Sequence, residues 1–390
     1  MGKKSKNFFK SVGATFTGQA KGGSGNDTLH VYSVNAKVYG EGGDDHLYGG
    51  GFTGAQIYGG SGSDYLYGGS AGSTKIYGGT GNDHIYGGGS VARLYGGDGN
   101  DYIYGGGLDA AVYGGSGNDY IRAGGLRTYV DGGSGNDRIY AGGADTSLYG
   151  GSGDDSIYGG GLNAYVNAGS GNDKVYAGGA ATRVYAGDGN NSVYAGGATT
   201  TVTAGSGADR IYAGGASARV YSGSGSDLVY AGGGSTRVYS GAGNDRVYAG
   251  GLEARVYAGD GNNSVYAGGL SALVYAGSGS DKIYAGGASA RVYAGNGNNS
   301  VYAGGASVRV DTGSGSDKIY AGGASAIINA GNGNNQVYAG GLYARVTTGT
   351  GADRIYAGGG YTEIYSGSGN DVLSSVAVGN SMYAGAGNDT

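Results

Sequence analysis

Apolar residues fall along this chain at a fixed beat. The triplets Arg138-Ile139-Tyr140 and Ser147-Leu148-Tyr149 each set one aliphatic side chain between two polar or aromatic neighbours, and glycine-rich stretches separate them. Alternation of this kind sends the middle residue to one face and its neighbours to the other, so each triplet reads as a short strand with one inward residue. One inward column is Leu29, Leu47, Ile85, Ile139, Val175, Val265 and Ile355; the other is Val38, Ile57, Val112, Val220, Val292 and Ile364. The pattern predicts two sheets over a thin core, with one large apolar residue per strand. No apolar run approaches 18 residues, so no membrane-spanning helix is expected.

The two triplets belong to one larger unit. Gly132-Gly133-Ser134-Gly135-Asn136-Asp137-Arg138-Ile139-Tyr140 fits the pattern G-G-x-G-x-D-x-U-x, with the apolar Ile139 as U. The next nine residues, Ala141 to Tyr149, keep the glycines, the apolar residue and the tyrosine but lack Asp at the sixth place. The sixth-place residue of the first kind recurs as Asp27, Asp45, Asp64, Asp83, Asp101, Asp119, Asp137, Asp155, Asp173, Asn191, Asp209, Asp227 and Asp245, and then as Asn263, Asp281, Asn299, Asp317, Asn335, Asp353, Asp371 and Asp389. Every step is 18 residues except 45 to 64 and 64 to 83, which are 19. A period sustained over 21 positions, 17 Asp and 4 Asn, means a stacked solenoid. The extra residue of each 19-residue coil is expected to bulge at a turn and leave the stack intact.

The nonapeptide resembles the RTX calcium-binding repeat of secreted bacterial proteins, over residues 22–390. The resemblance implies an all-β fold: a right-handed parallel β-roll of about 20 coils in two sheets, which at ~4.8 Å per strand is about 100 Å long. It also implies bound Ca²⁺. In that family both nonapeptides of a coil usually carry the Asp. Here only one does, so a single row of calcium between successive coils is expected, along the column of sixth-place residues.

The physical chemistry of the column leads the same way. Carboxylates one strand apart repel by roughly 1 kcal/mol per neighbouring pair even in water, so a column of Asp needs cations. Ca²⁺ takes six to eight oxygens in flexible geometry, which suits Asp side chains and the carbonyls of glycine turns. Asn191, Asn263, Asn299 and Asn335 keep a carbonyl oxygen but lose the charge, and weaker sites are expected there. A thin core and many glycines, each costing on the order of 0.5–1 kcal/mol relative to Ala, lead to the expectation that folding needs the metal.

Composition narrows the picture further. Gly is 98 of 390 with no G-X-Y period, and there is no Pro and no Cys, which excludes collagen and a disulfide scaffold. A net charge of −5 gives no reason to expect a nucleic-acid partner. Identical acids in every coil form a lattice rather than a catalytic site, and no Ser/His/Asp constellation accompanies them, so no enzyme is expected. Residues 1–21 differ from the rest: Lys3, Lys4, Lys6 and Lys10 with Phe8, Phe9 and Phe16 read as an arm or cap over the first coil. Tyr48, Tyr67, Tyr86, Tyr104, Tyr140 and their equivalents to Tyr356 form one outward column, broken by Arg122; Tyr39, Tyr58, Tyr77, Tyr95, Tyr113, Tyr149, Tyr185 and Tyr221 belong to a second. Beside the second runs a row of like charge, Arg93, Arg183, Arg219, Arg237, Arg255 and Arg291.

The function expected from these observations is structural: an extracellular, calcium-stiffened rod in a surface filament, sheath or layer. The expected partner is the chain itself, joined head to tail. The sequence closes on Gly-Asn-Asp-Thr and the repeat opens with Gly22 to Asp27, so Asp389 of one copy and Asp27 of the next would share a Ca²⁺ with the arm over the joint. Lateral copies through the Tyr columns, or surface polysaccharide along the Arg row, are further candidate partners. The alternatives are an adhesin-type module that binds ice or glycan, with Asn82, Asn100, Asn118 and Asn136 projecting in a row, and an export domain detached from a secreted protein.

Overall fold

The computed structural model describes residues 18–51 and 54–390. The lysines and phenylalanines of the N-terminal arm, Lys3 to Phe16, lie outside the described residues. Gln19–Lys21 is already a strand, paired in parallel with Lys37, Val38 and Tyr39.

Among the described residues every regular element is a strand and none is a helix. The chain divides into two units, residues 1–197 and 198–390. Each is a parallel β-solenoid, and together they hold about 20 turns. A coil of constant length returns each strand to the same heading, so neighbouring strands are parallel and equivalent residues meet. In the first unit, Arg138–Ser152, Ser156–Ser170 and Lys174–Gly187 pair so that Ile139, Ile157 and Val175 align, as do Leu148, Val166 and Val184. In the second, Ser300–Thr312, Lys318–Asn329, Gln336–Thr347 and Arg354–Tyr365 align Val301, Ile319, Val337 and Ile355.

The inward columns are as the alternation predicts, and both are fully buried. Most of these large apolar residues have a small inward companion. In Lys174–Gly187, Val175 and Ala177 point inward, Lys174 and Tyr176 outward, and the preceding Asp173 is also buried. Burying a Val or Ile side chain is worth roughly 1.5–3 kcal/mol. The core is therefore a long series of modest terms, repeated once per strand.

In the 19-residue coils the strands stay in register: Leu47 meets Leu66, Leu66 meets Ile85, and Val38, Ile57 and Ile76 align. The extra residue sits in the turns between Leu47 and Ile57 and between Leu66 and Ile76, the edge away from the sixth-place acids.

The outward tyrosines stack. From Tyr212 to Tyr356 in the second unit, successive ring centroids are 4.6–5.1 Å apart, which is the strand spacing itself. In the first unit, Asp131 and Asn167 occupy column positions, and Tyr129 and Tyr165, two residues earlier, fill in. The stack Tyr113–Tyr129–Tyr149–Tyr165–Tyr185 continues at 5.4–5.7 Å with tilted rings.

One place in the turn is glycine at every repeat but one. Gly133 has φ 108°, a conformation costing an L-residue about 1–2 kcal/mol, and a Cβ there would collide with the carbonyl oxygen of Gly115 one coil back. Glu41 holds the equivalent position with φ 76°, and its exposed ion pair with Lys21 is worth under about 1 kcal/mol. Gly133→Ala is therefore expected to destabilise the folded protein by at least about 2 kcal/mol, since strain and collision add. Glu41→Gly should raise stability by up to about 1 kcal/mol. Urea denaturation of both variants in millimolar Ca²⁺ measures the two signs; a neutral Gly133→Ala would contradict this account of the turn.

Candidate metal centre

The sixth-place residues line one edge of each unit, as the period predicts. In the first unit Asp45, Asp64, Asp83, Asp101, Asp119, Asp137, Asp155, Asp173 and Asn191 are buried, and Asp27 is half-buried. In the second, Asp209, Asp227, Asp245, Asn263, Asp281, Asn299, Asp317, Asn335, Asp353 and Asp371 are buried, and Asp389 is half-buried.

Each side chain ties two coils together. The backbone N–H of Asp137 donates to Oδ1 of Asp155 at 2.8 Å, and that of Asp155 to Oδ1 of Asp173 at 2.8 Å. The bond recurs at every step within each unit, from Asp27 to Asn191 and from Asp209 to Asp389. The fifth-place residue runs a second ladder the other way: Asn118 N–H donates to Oδ1 of Asn100 at 2.6 Å, and Asn136 N–H to Oδ1 of Asn118 at 2.6 Å. The Asn row considered for ice or glycan thus has its carbonyl oxygens engaged within the protein.

The second carboxylate oxygen is different. Oδ2 of every acid from Asp45 to Asp173, and of Asp227, Asp245, Asp281, Asp317, Asp353 and Asp371, is buried and receives no hydrogen bond. A buried charged oxygen without a donor is costly unless something positive meets it. In the turn of Asp137, Oδ2 lies over Gly132 beside the Gly150 carbonyl oxygen of the next coil, so closely that a Cβ on Gly132 would strike both. Acceptors therefore converge on a space that glycine keeps open. From Ala168 onward this first place carries a methyl or a hydroxyl, as in Ser222, Ser240, Thr312 and Thr348, and those hydroxyls donate to a carbonyl of the next coil. The glycine-lined turns of the first unit are the more open ones.

Among the described residues no three acidic, imidazole or thiol side chains come together. A cation here would be held by one carboxylate per turn and by main-chain carbonyls. That donor set, all oxygen, fits Ca²⁺. Calcium would supply charge neutralisation and bridging between coils, while the protein's own Oδ1 bonds hold the carboxylates in register.

The model of the RTX calcium-binding nonapeptide repeat matches nearly the whole chain, in segments running from 19–53 through 131–166 and 194–229 to 347–375. The chain belongs to the RTX calcium-binding nonapeptide repeat family. No curated protein and no solved structure matches it.

The opposite edge of the RTX array closes without acid. Its sixth places hold Thr or Ala except at Val308 and Asn380, and the Thr146 and Thr182 hydroxyls donate to the Gly160 and Gly196 carbonyls at 2.9 and 2.8 Å. Sequence reading passed over these threonines, although they recur in the same register as the acids. It also missed the fifth-place ladder, whose signal is the Asn or Asp that precedes the sixth place at 15 of the 21 positions.

Burial pushes the column carboxyls up from their ordinary value of 3.8: Asp119 to about 6, Asp137 and Asp155 to about 7, and Asp101 to about 8, with neighbouring carboxylates adding to the rise at the last three. Without metal, the folded state therefore holds protons that the unfolded chain releases. Its stability should be full below about pH 4 and fall as pH rises through about 6 to 8. Calcium displaces those protons, so its affinity should climb over the same window. Thermal melts from pH 4 to 8 in EDTA and in Ca²⁺ check this; metal-free melting points that rise with pH would contradict the buried-carboxyl account.

Proposed function

We propose that the protein is an extracellular structural array that calcium locks into its folded form and that assembles with further copies of itself into a surface filament, sheath or layer. The observation that carries this reading is the row of buried Oδ2 atoms without donors, from Asp45 to Asp173 and at Asp227, Asp245, Asp281, Asp317, Asp353 and Asp371. A lattice of identical sites has a mechanical use: every cation joins one coil to the next. An extracellular setting supports it, because sites of modest affinity fill there at millimolar Ca²⁺. No described helix is long and apolar enough to cross a membrane. Self-assembly rests on the exposed strand edge of any coil without a neighbour and on the open-ended growth of a heterologous contact.

Circular dichroism at 37 °C is expected to show the β signal lost in excess EDTA at pH 7.5, the metal-free chain melting below that temperature, and regained with millimolar Ca²⁺. Mg²⁺ should restore it poorly, because it demands stricter geometry and holds its water. Light scattering of the full chain should then rise with Ca²⁺ and with protein concentration. An unchanged β spectrum in EDTA overturns the calcium requirement, and a particle that stays monomeric at high concentration in Ca²⁺ overturns the assembly.

A further inference from the structure

Four coils carry Asn in place of the acid, and their geometry differs in one atom. Oδ1 of Asn263 accepts the N–H of Asp245 at 3.0 Å, the bond that Oδ1 of an aspartate makes in the other coils. That bond fixes which end of the amide is oxygen, so Nδ2 points where Oδ2 of an aspartate would point. There it donates to the carbonyl oxygens of Gly259 at 3.1 Å and Gly261 at 3.2 Å, with the Ala276 carbonyl at 3.4 Å. The others repeat it. Asn191 donates to Gly187 and Gly189, both at 3.1 Å; Asn299 to Gly295 at 3.2 Å and Gly297 at 3.1 Å; Asn335 to Gly331 at 3.4 Å and Gly333 at 2.9 Å.

The carbonyls four and two residues before the sixth place thus face whatever that residue presents. When it presents Oδ2, acceptors meet an acceptor, and a cation satisfies all of them. When it presents an N–H₂ group, the carbonyls have their donors and the centre of the turn holds an amide nitrogen. The threonines of the opposite edge follow the same rule with a hydroxyl: Thr128, Thr200 and Thr236 donate to Gly142, Gly214 and Gly250 at 3.2, 2.7 and 2.8 Å.

We infer that Asn191, Asn263, Asn299 and Asn335 are built-in substitutes for the cation, so that their turns close without calcium and interrupt the metal row at four fixed coils. The inference rests on the calcium reading above, and it replaces the expectation that these positions are weak calcium sites. The row divides into an uninterrupted run from Asp27 to Asp173, the group Asp209, Asp227 and Asp245, the single acids Asp281 and Asp317, and the group Asp353, Asp371 and Asp389.

The test restores the acid. A full-length chain with all four asparagines changed to Asp should bind one additional Ca²⁺ for each position restored, counted by equilibrium dialysis. It should melt at a lower temperature than wild type in EDTA at pH 7.5, while its melting point in millimolar Ca²⁺ is not reduced. Asp281→Asn is the converse: one Ca²⁺ fewer and a higher melting point in EDTA, readable even if the fourfold variant does not fold. Equal calcium counts in wild type and the fourfold variant, with wild type binding calcium, overturn the inference. So does a melting point in EDTA that Asp281→Asn leaves unchanged or lowers. If wild type binds no calcium, the functional reading above fails, and the melts in EDTA still decide whether the amide is the better occupant of the metal-free turn.

Discussion

The structure depends on a carboxylate that is buried with only one of its oxygens satisfied. Oδ1 of each column Asp is committed to a backbone N–H of the preceding coil, as between Asp137 and Asp155, and this commitment sets coil against coil. In the run from Asp45 to Asp173, Oδ2 is left facing carbonyls and receives no hydrogen bond. An apolar replacement would remove the cost but also the N–H partner, and an exposed position would remove the lateral bond. The arrangement is stable only if the turn supplies a proton, an amide or a cation, and the rest of the design accommodates that need. Glycines bring main chain against main chain, the period holds the column straight, and the thin aliphatic core supports a stack whose cohesion lies partly at its edge.

Much of this was legible in the sequence, because identical residues at equal spacing occupy identical environments. Leu148 and Val166 had to align once the period was known, and so had Asp137 and Asp155. What could not be read was direction. The sequence places Asn136 and Asp137 side by side but does not say that one bonds to the coil before and the other to the coil after; that is decided by backbone orientation in the turn. Nor does it show that Asn263 would turn its nitrogen inward, since the choice of amide orientation follows from a hydrogen bond to another coil. Tyr129 and Tyr165 escaped notice for a related reason. They stand out of the column in sequence, and only side-chain reach across the sheet brings them into the stack beside Tyr149.

The surface tolerates what the edge does not. Arg219, Arg237 and Arg255 lie directly across from one another, a like-charge arrangement that costs a few tenths of a kcal/mol per pair. The neighbouring tyrosine stack, Tyr221, Tyr239 and Tyr257 at 4.9 and 4.8 Å, offsets it with ring contact. Substitutions on these faces, such as Asp131 or Asn167 in a tyrosine column, leave the pairing register unchanged. Small energies on the faces can vary from coil to coil because none of them sets the geometry.

The two turns of a coil also differ in what length they permit. From the second apolar residue of a coil to the first of the next, across the acid edge, the interval is nine residues throughout, whereas across the other edge it is ten between Leu47 and Ile57 and between Leu66 and Ile76. A carboxylate that must meet one particular N–H leaves no slack; a turn closed by a Thr hydroxyl or by glycine alone has some. The solenoid has a ruled margin and a free margin. Length variation, whether from natural insertion or from an engineered loop, has its outlet on the free margin, where chain can be added while the ruled one keeps count.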